Sequence, residues 1–220
     1  MNEREILSQK AQAFFEDLWN RGDPWDLEGS EFERSKYGRL LAMLEERRYG
    51  RALEIGCGAG SFTRLLACIA DHVVALDIAP AAIARARAAE AGPGAVDFRV
   101  ANIMDYAPRA EGPWDLVVMS ETIYYLGWLY SFFDVAWLAA EIFAATQVGG
   151  RLLLANTQGD IENYLLRPWH IRTYRDLFLN VGYRLESEEI FRGLKNGVNL
   201  EVLISLFAKV PKETAQCVRS

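Results

Sequence analysis

The sequence predicts an α/β protein built on one seven-stranded, mostly parallel sheet, with helices on both faces and an antiparallel last strand. Three observations predict it. From residue 51 onward, short apolar runs alternate with helix-length stretches, the pattern of parallel strands joined by crossover helices. A glycine-rich turn, Gly56-Cys57-Gly58-Ala59-Gly60, leaves the first of those strands and enters a helix. Near the C-terminus two segments of alternating polarity flank Asn196-Gly197, a strong hairpin signal.

The elements follow in order. Ile6, Leu7, Phe14, Phe15, Leu18 and Trp19 lie at near-helical spacing and predict a helix over 3–20, ended by Gly22-Asp23-Pro24. A second helix is expected over Glu31–Glu46. Strands are expected at Arg51–Ile55, His72–Ile78, Val96–Val100, Asp115–Met119 and Arg151–Ala155. Between them fall helices at Ser61–Ala70, at Pro80–Ala91 with proline in its first turn, and at Leu129–Thr146. Tyr183–Phe191 and Asn199–Phe207 form the closing antiparallel pair. The expected organisation is therefore N-terminal helices over residues 1–48 covering the site, a ligand-binding domain over 49–208 and a polar tail over 209–220.

Composition narrows the function. The 220 residues are 51% hydrophobic and 25% charged, enough to bury a core in one domain with appendages. Twenty-four basic against 30 acidic residues, a net charge of −6, argue against a nucleic-acid substrate. The longest uncharged run is the 12 residues Thr122–Phe133, too short to span a bilayer, so no membrane role is expected. The charged N-terminus lacks the pattern of a secretory signal, and a cytoplasmic address is expected. Cys57, Cys68 and Cys217 form no Cys-x-x-Cys pair, so reduced, mostly buried thiols are expected and no metal.

The glycine turn points to a nucleoside. Asp77 stands 21 residues after Gly56, at the end of the next strand beside Ile78, where a carboxylate takes both hydroxyls of a ribose. Two cofactor types compete: a dinucleotide, whose pyrophosphate rests on the helix N-terminus, and S-adenosylmethionine, which is cationic and has no phosphate. Glu54, two residues before Gly56, repels the first and suits the second. The G-x-G-x-G spacing, with Ser61 where a dinucleotide fingerprint takes Gly or Ala, argues the same way.

With these residues the chain resembles the class I S-adenosylmethionine-dependent methyltransferases over about residues 30–207, which implies a Rossmann-like fold. Asp23-Pro24-Trp25-Asp26-Leu27-Glu28, Leu53-Glu54-Ile55-Gly56-Cys57 and Ser120-Glu121-Thr122-Ile123-Tyr124-Tyr125-Leu126 further resemble the nodulation protein S family. That resemblance implies N-methylation of a free sugar amine on a deacetylated chitin oligosaccharide, with relatives acting on other small molecules. It also implies that Asn102 and the backbone of Ile103 contact adenine; the alternative for Asn102 is a strand-end turn residue.

The remaining candidates come with competing roles. Lys36 and Tyr37 either meet the cofactor carboxylate or lie on a solvated helix face. Ser120 and Glu121 end the fourth strand, at the sheet edge where α/β proteins bind ligands, and Glu121 is expected to hold an amine acceptor by hydrogen bond. His170 is either a general base, as a hydroxyl acceptor would need, or packing in a covering segment; His72 is expected at a strand end. Trp25, Tyr124 and Tyr125 are expected to face the substrate, whereas Trp128, Tyr130, Phe132 and Phe133 are expected to pack. Arg85, Arg87 and Glu90 read as a solvated helix face. The acceptor is thus expected to be an amine of a small, sugar-containing molecule. O-methylation in natural-product biosynthesis and non-catalytic binding of S-adenosylmethionine are the alternatives. Oligomeric state is not legible.

Overall fold

The structure, a computed structural model, describes residues 3–89, 94–159 and 163–211. Seven strands form one sheet: β1 Tyr49–Ile55, β2 Ala70–Asp77, β3 Ala95–Val100, β4 Trp114–Ser120, β5 Thr146–Gln158, β6 Arg184–Lys195 and β7 Val198–Ala208. Their spatial order is β3-β2-β1-β4-β5-β7-β6. β1 to β5 run parallel, and β7 runs antiparallel to both β5 and β6. Strands β1, β2 and β4 are buried without alternation because helices cover both faces. One face carries α2 Glu31–Ala42, α3 Ser61–Ile69 and α4 Pro80–Ala88; the other carries α6 Ile123–Leu129, α7 Phe132–Ala145 and α8 Pro168–Asn180. A short α5 spans Pro108–Glu111. The connections reverse direction between β1 and β4, opening a crevice at the carboxyl edge of the sheet.

Helix α1, Glu3–Asn20, lies across that edge. Gln12 Nε2 donates to the Ile78 carbonyl (3.2 Å), Glu16 accepts from the Ala81 amide (2.8 Å), and Ser8 Oγ donates to Asp105 (2.7 Å). The glutamate sits at the N-terminus of α4, where backbone amides need acceptors.

Several expected boundaries are corrected. α2 ends at Ala42, short of Glu46. The stretch Leu129–Thr146 is two helices, because Ser131 and Asp134 form a reciprocal capping box that starts α7 anew. β5 extends well beyond Arg151–Ala155 in both directions. α8 occupies part of a region for which no element was expected. Lys209 belongs to the body: its backbone pairs with Gly149 and Gly150, and its ammonium donates to the Phe143 and Thr146 carbonyls. Residues 212–220 of the expected tail lie outside the described residues, as do Glu90, Ala91 and Cys217.

Side chains refine the expectations further. Arg85 and Arg87 are exposed, as expected of a solvated helix face, and in addition donate to the Trp19 and Phe98 carbonyls. Phe133 is 82% exposed, and Trp128 and Phe132 are exposed as well although they meet Phe14 and Tyr174, so of that group Tyr130 alone is buried. Of the described thiols Cys57 is buried and Cys68 exposed. His72 is half-buried near the start of β2.

Candidate functional site

A cavity of about 540 Å³ opens at the carboxyl edge, within the range of small-molecule sites. Its wall includes Trp25, Tyr37, Glu54, Gly56, Cys57, Gly58, Asp77, Ile78, Asn102, Ile103, Ser120, Glu121, Tyr124 and Tyr125. Lys36, Gly60 and His170 are not on it.

The glycine turn is built by the protein's own packing. Gly56, Gly58 and Gly60 have φ of 79°, 54° and 79°, in the region that favours glycine. A Cβ on Gly56 would meet Thr122 Oγ1 at 2.3 Å; one on Gly58 would meet Trp19 Cζ2 at 3.0 Å and Leu27 Cδ1 at 3.2 Å; one on Gly60 would meet Phe98 at 3.0 Å. Four of the loop amides have acceptors within the protein. Gly56 and Cys57 donate to the Leu76 carbonyl (2.8 and 2.9 Å), Gly58 to Asp77 Oδ2 (2.9 Å) and Gly60 to the Cys57 carbonyl (2.9 Å). The first-turn amides of α3, Ser61 to Thr63, have no bonded acceptor among the described residues, so it is the acid at Glu54, not a lack of donors, that weighs against a pyrophosphate.

Glu54 and Asp77 form one end of the cavity, and among the described residues no cation is bonded to either carboxylate. Glu54 is 3% exposed and accepts from Thr63 Oγ1 (2.5 Å). Burial, with the nearby Asp77 charge, pushes its pKa up to about 8. Asp77 Oδ1 accepts from the Ala79 amide (2.9 Å), and burial likewise raises its pKa. Asn102 donates to Ser8 Oγ and Tyr130 Oη (2.7 and 2.6 Å), and its oxygen accepts from the Met104 amide (3.1 Å). It thus makes the turn contacts of the alternative reading while keeping one acceptor lone pair. Ser120 lines the wall, and its Oγ is buried without a partner among the described residues.

The other end is organised around Glu121, which has φ 55° and whose backbone N–H donates to the Ala155 carbonyl (2.8 Å). Oε1 accepts from Lys36 Nζ (3.1 Å) and Thr157 Oγ1 (2.9 Å); Oε2 accepts from the Thr157 amide (2.8 Å) and Tyr124 Oη (3.2 Å). Lys36 is 1% exposed, which excludes the solvated-face reading, and it also pairs with Glu33 Oε2 at 2.6 Å. Burial alone would depress its pKa, but Glu121 and Glu33 hold it above the ordinary lysine value. Glu33 Oε1 pairs in turn with Lys195 Nζ (2.6 Å), which donates to the Trp25 carbonyl (2.6 Å). The chain of charges therefore ties α2, the β4 edge, the β6–β7 turn and the segment around Trp25 together. Tyr37 stacks on Phe62, and Trp25 and Tyr125 meet Phe15 at centroid distances of 6.5 and 5.1 Å.

His170 stands apart on α8, its Nδ1 3.0 Å from the Leu165 carbonyl and its ring against Tyr174. It belongs to the packing reading. Lys36 lies behind the wall with its ammonium consumed by two carboxylates, so it is placed away from a cofactor carboxylate. Gly60 supports the loop from behind. Sequence reasoning missed Glu33, Thr157 and Lys195. Thr157 was findable, since it follows the fifth strand at the ligand edge; nothing local marks the other two.

The sheet order and its antiparallel β7, with a glycine turn after β1 and an acid after β2, define the Rossmann-like class I methyltransferase fold. The crystal structure of the N-methyltransferase NodS from Bradyrhizobium japonicum in complex with S-adenosyl-L-homocysteine shares it, with a TM-score of 0.74 at 22% identity over 90% of this chain and 98% of that one. The sequence profile of Nodulation protein S (NodS) matches residues 8–132, and the chain belongs to that family. Nodulation protein S of Rhizobium tropici is 36% identical over 106 residues, 48% of this chain and 44% of that protein. The chain thus spans about half the length of such curated relatives. A malonyl-[acyl-carrier protein] O-methyltransferase of Enterobacter lignolyticus is 26% identical over 86% of this chain and 72% of that protein.

Proposed function

We propose that this chain is an S-adenosylmethionine-dependent methyltransferase whose acceptor is an amine of a small, sugar-containing molecule. The observation that carries the reading is a glycine turn set beside two buried carboxylates, Glu54 and Asp77, that have no bonded cation among the described residues. That combination disfavours a phosphate and favours a cationic nucleoside. Asp77 holds the ribose hydroxyls, Asn102 and Ile103 the adenine, and Glu54 faces the charged end with Ser120 nearby. Bound there, S-adenosylmethionine supplies a methyl group on a positively charged sulfur; an acceptor lone pair forms the new bond to carbon as the S–C electron pair returns to sulfur. The residues of the chain align the acceptor and exclude water. Residues 1–48 cover the site and 49–208 hold the donor. Trp25 and Tyr125, flanked by Phe15, offer ring faces to a sugar.

An amine is favoured because Asp23, Asp26 and Asp77 line the cavity beyond the Glu33 and Glu121 carboxylates that Lys36 and Lys195 match, a field that attracts cations. The NodS structure carries the name of an N-methyltransferase, in keeping with this choice. O-methylation is the second reading, supported by the Enterobacter relative. No described helix is long and apolar enough to cross a membrane. The net charge of −6 favours a small molecule over a nucleic acid, and the address assigned to the enzyme is the cytoplasm.

Calorimetry with S-adenosylhomocysteine and with NAD tests the donor, and product mass with the methylated atom tests the acceptor. Asp77→Ala should weaken S-adenosylhomocysteine binding by about 2 kcal/mol or more, roughly 30-fold, because it removes charge-assisted hydrogen bonds. Tight NAD binding, or parental affinity in the folded variant, would overturn the assignment.

A further inference from the structure

We propose that the Tyr124 hydroxyl is the group that meets the acceptor nitrogen, with Glu121 acting only through it as the terminus for the departing proton. The inference rests on the amine methyltransferase reading above and corrects the sequence-based expectation that the Glu121 carboxylate holds the amine directly.

The argument is one of acceptor capacity. A carboxylate has about four acceptor sites. Glu121 fills them with Lys36 Nζ, Thr157 Oγ1, the Thr157 amide and Tyr124 Oη, and its side chain is 22% exposed. Direct contact with an amine would displace one of these. Tyr124 differs. Its single proton is committed to Glu121 Oε2, so both lone pairs of its oxygen are acceptors, and the residue lines the cavity. The Tyr125 ring packs beside it at a centroid distance of 4.6 Å, and a lone pair of the Tyr124 oxygen is left for an N–H of the substrate. Burial and the Glu121 charge hold the Tyr124 hydroxyl well above the usual tyrosine range, so it stays protonated and keeps this orientation.

The proton balance closes within these residues. On methylation the nitrogen becomes an ammonium and sheds one proton. That proton passes to Tyr124 Oη as the tyrosine's own proton moves to Oε2, leaving Tyr124 unchanged and Glu121 as a neutral carboxylic acid. Loss of that proton to water restores the carboxylate, which Lys36 and Thr157 hold in place. Lys36, Thr157 and Glu121 are positioning residues; Tyr124 alone of the four touches the substrate.

The test uses the full chain with S-adenosylhomocysteine and a deacetylated chitin oligosaccharide. Calorimetry of the oligosaccharide on the S-adenosylhomocysteine complex gives a readout independent of turnover. Tyr124→Phe should weaken that binding about tenfold, leave S-adenosylhomocysteine affinity at the parental value and lower kcat about 10²-fold. Glu121→Gln should lower kcat by a similar factor and abolish any limb of the kcat pH profile that belongs to the relay. The double variant should be no worse than either single one, because the two groups act as a unit. Site-specific 3-fluorotyrosine at 124 keeps ring and hydroxyl but makes a poorer acceptor, so amine affinity should fall in a chain whose packing is undisturbed. Parental amine affinity and kcat in the Tyr124→Phe or fluorotyrosine variant overturns the inference, as does a double variant whose losses multiply. If the parental chain does not bind S-adenosylhomocysteine, the methyltransferase reading fails and takes this inference with it; parental binding with insensitive Tyr124 variants overturns the inference alone.

Discussion

The two ends of the cavity treat a buried carboxylate in opposite ways. At the glycine turn Glu54 and Asp77 are held by a hydroxyl and by backbone amides, and both have raised pKa values. At the β4 edge Glu121 is matched by a lysine, and that lysine by a second glutamate and a second lysine. Burying charge without a counter-ion is costly, so the first arrangement persists at the expense of stability and keeps a place for a ligand's positive charge. The second is electrically closed and fixes geometry. An acid that lacks a cation marks a binding position; an acid with a full set of partners marks a scaffold.

The comparison breaks most visibly at Lys36. Lys36→Met removes the ammonium shared by Glu33 and Glu121 and leaves two buried carboxylates competing for Lys195 and water. Removing one partner of a buried ion pair typically costs about 3 to 5 kcal/mol, and urea denaturation should show a loss of that size. Adding Glu121→Gln should recover part of it, since the orphaned charge is then absent. A loss no larger than that of an exposed lysine would mean the network does not exist as described.

The contrast also explains what the sequence makes legible. The glycine turn, its acid at 54 and the acid at 77 lie in one βαβ unit, so spacing alone brings them together. The same holds for the sheet: near-continuous apolar runs at 52–55, 73–76 and 116–119 announce strands buried on both faces. The Glu121 network draws on residues 33, 36, 121, 157 and 195, which only the folded sheet juxtaposes. A buried lysine at 36 is also the least expected reading of a charged helix position. The split of the 129–146 stretch had a local signal, Ser131-x-x-Asp134, in a run whose apolar residues otherwise read as continuous helix. His170 illustrates the opposite error, a chemically apt side chain whose ring is committed to a carbonyl and two aromatics.

At the donor end the next largest effect is expected from Gly58→Ala. Left-handed φ costs a non-glycine residue about 1 to 2 kcal/mol, and here the new methyl also presses on Trp19 and Leu27 of the N-terminal cover. Gly197→Ala supplies the control, because Gly197 has φ 78° with open space around its Cβ position. Thermal denaturation should place Gly58→Ala below Gly197→Ala, and S-adenosylhomocysteine affinity should fall for the first alone. Equal melting temperatures would show that the cover does not bear on the turn.

The smallest expected effect is the most specific to the difference between the two ends, because it reads the charge state of Glu54. In the free protein Glu54 titrates at about 8 rather than 4.5, so between those values the folded chain holds a proton that the unfolded chain has released. Stability should therefore fall as pH rises across that window. Donor binding should move the other way, since a cation beside the carboxyl favours its ionised form. Affinity for S-adenosylmethionine should improve on the order of tenfold between about pH 6.5 and pH 8, the span over which one proton must leave on binding. The donor's own amino group titrates nearby, and Glu54→Gln removes that ambiguity: it keeps the size of the side chain and abolishes only the part of the slope that belongs to Glu54. The sulfonium can be isolated in the same way, because S-adenosylhomocysteine carries the ammonium without the sulfur charge and should show a shallower slope. Glu121→Gln, at the closed end, should leave the slope of donor binding where it was. A pH profile flattened by Glu121→Gln and untouched by Glu54→Gln would reverse the roles of the two ends.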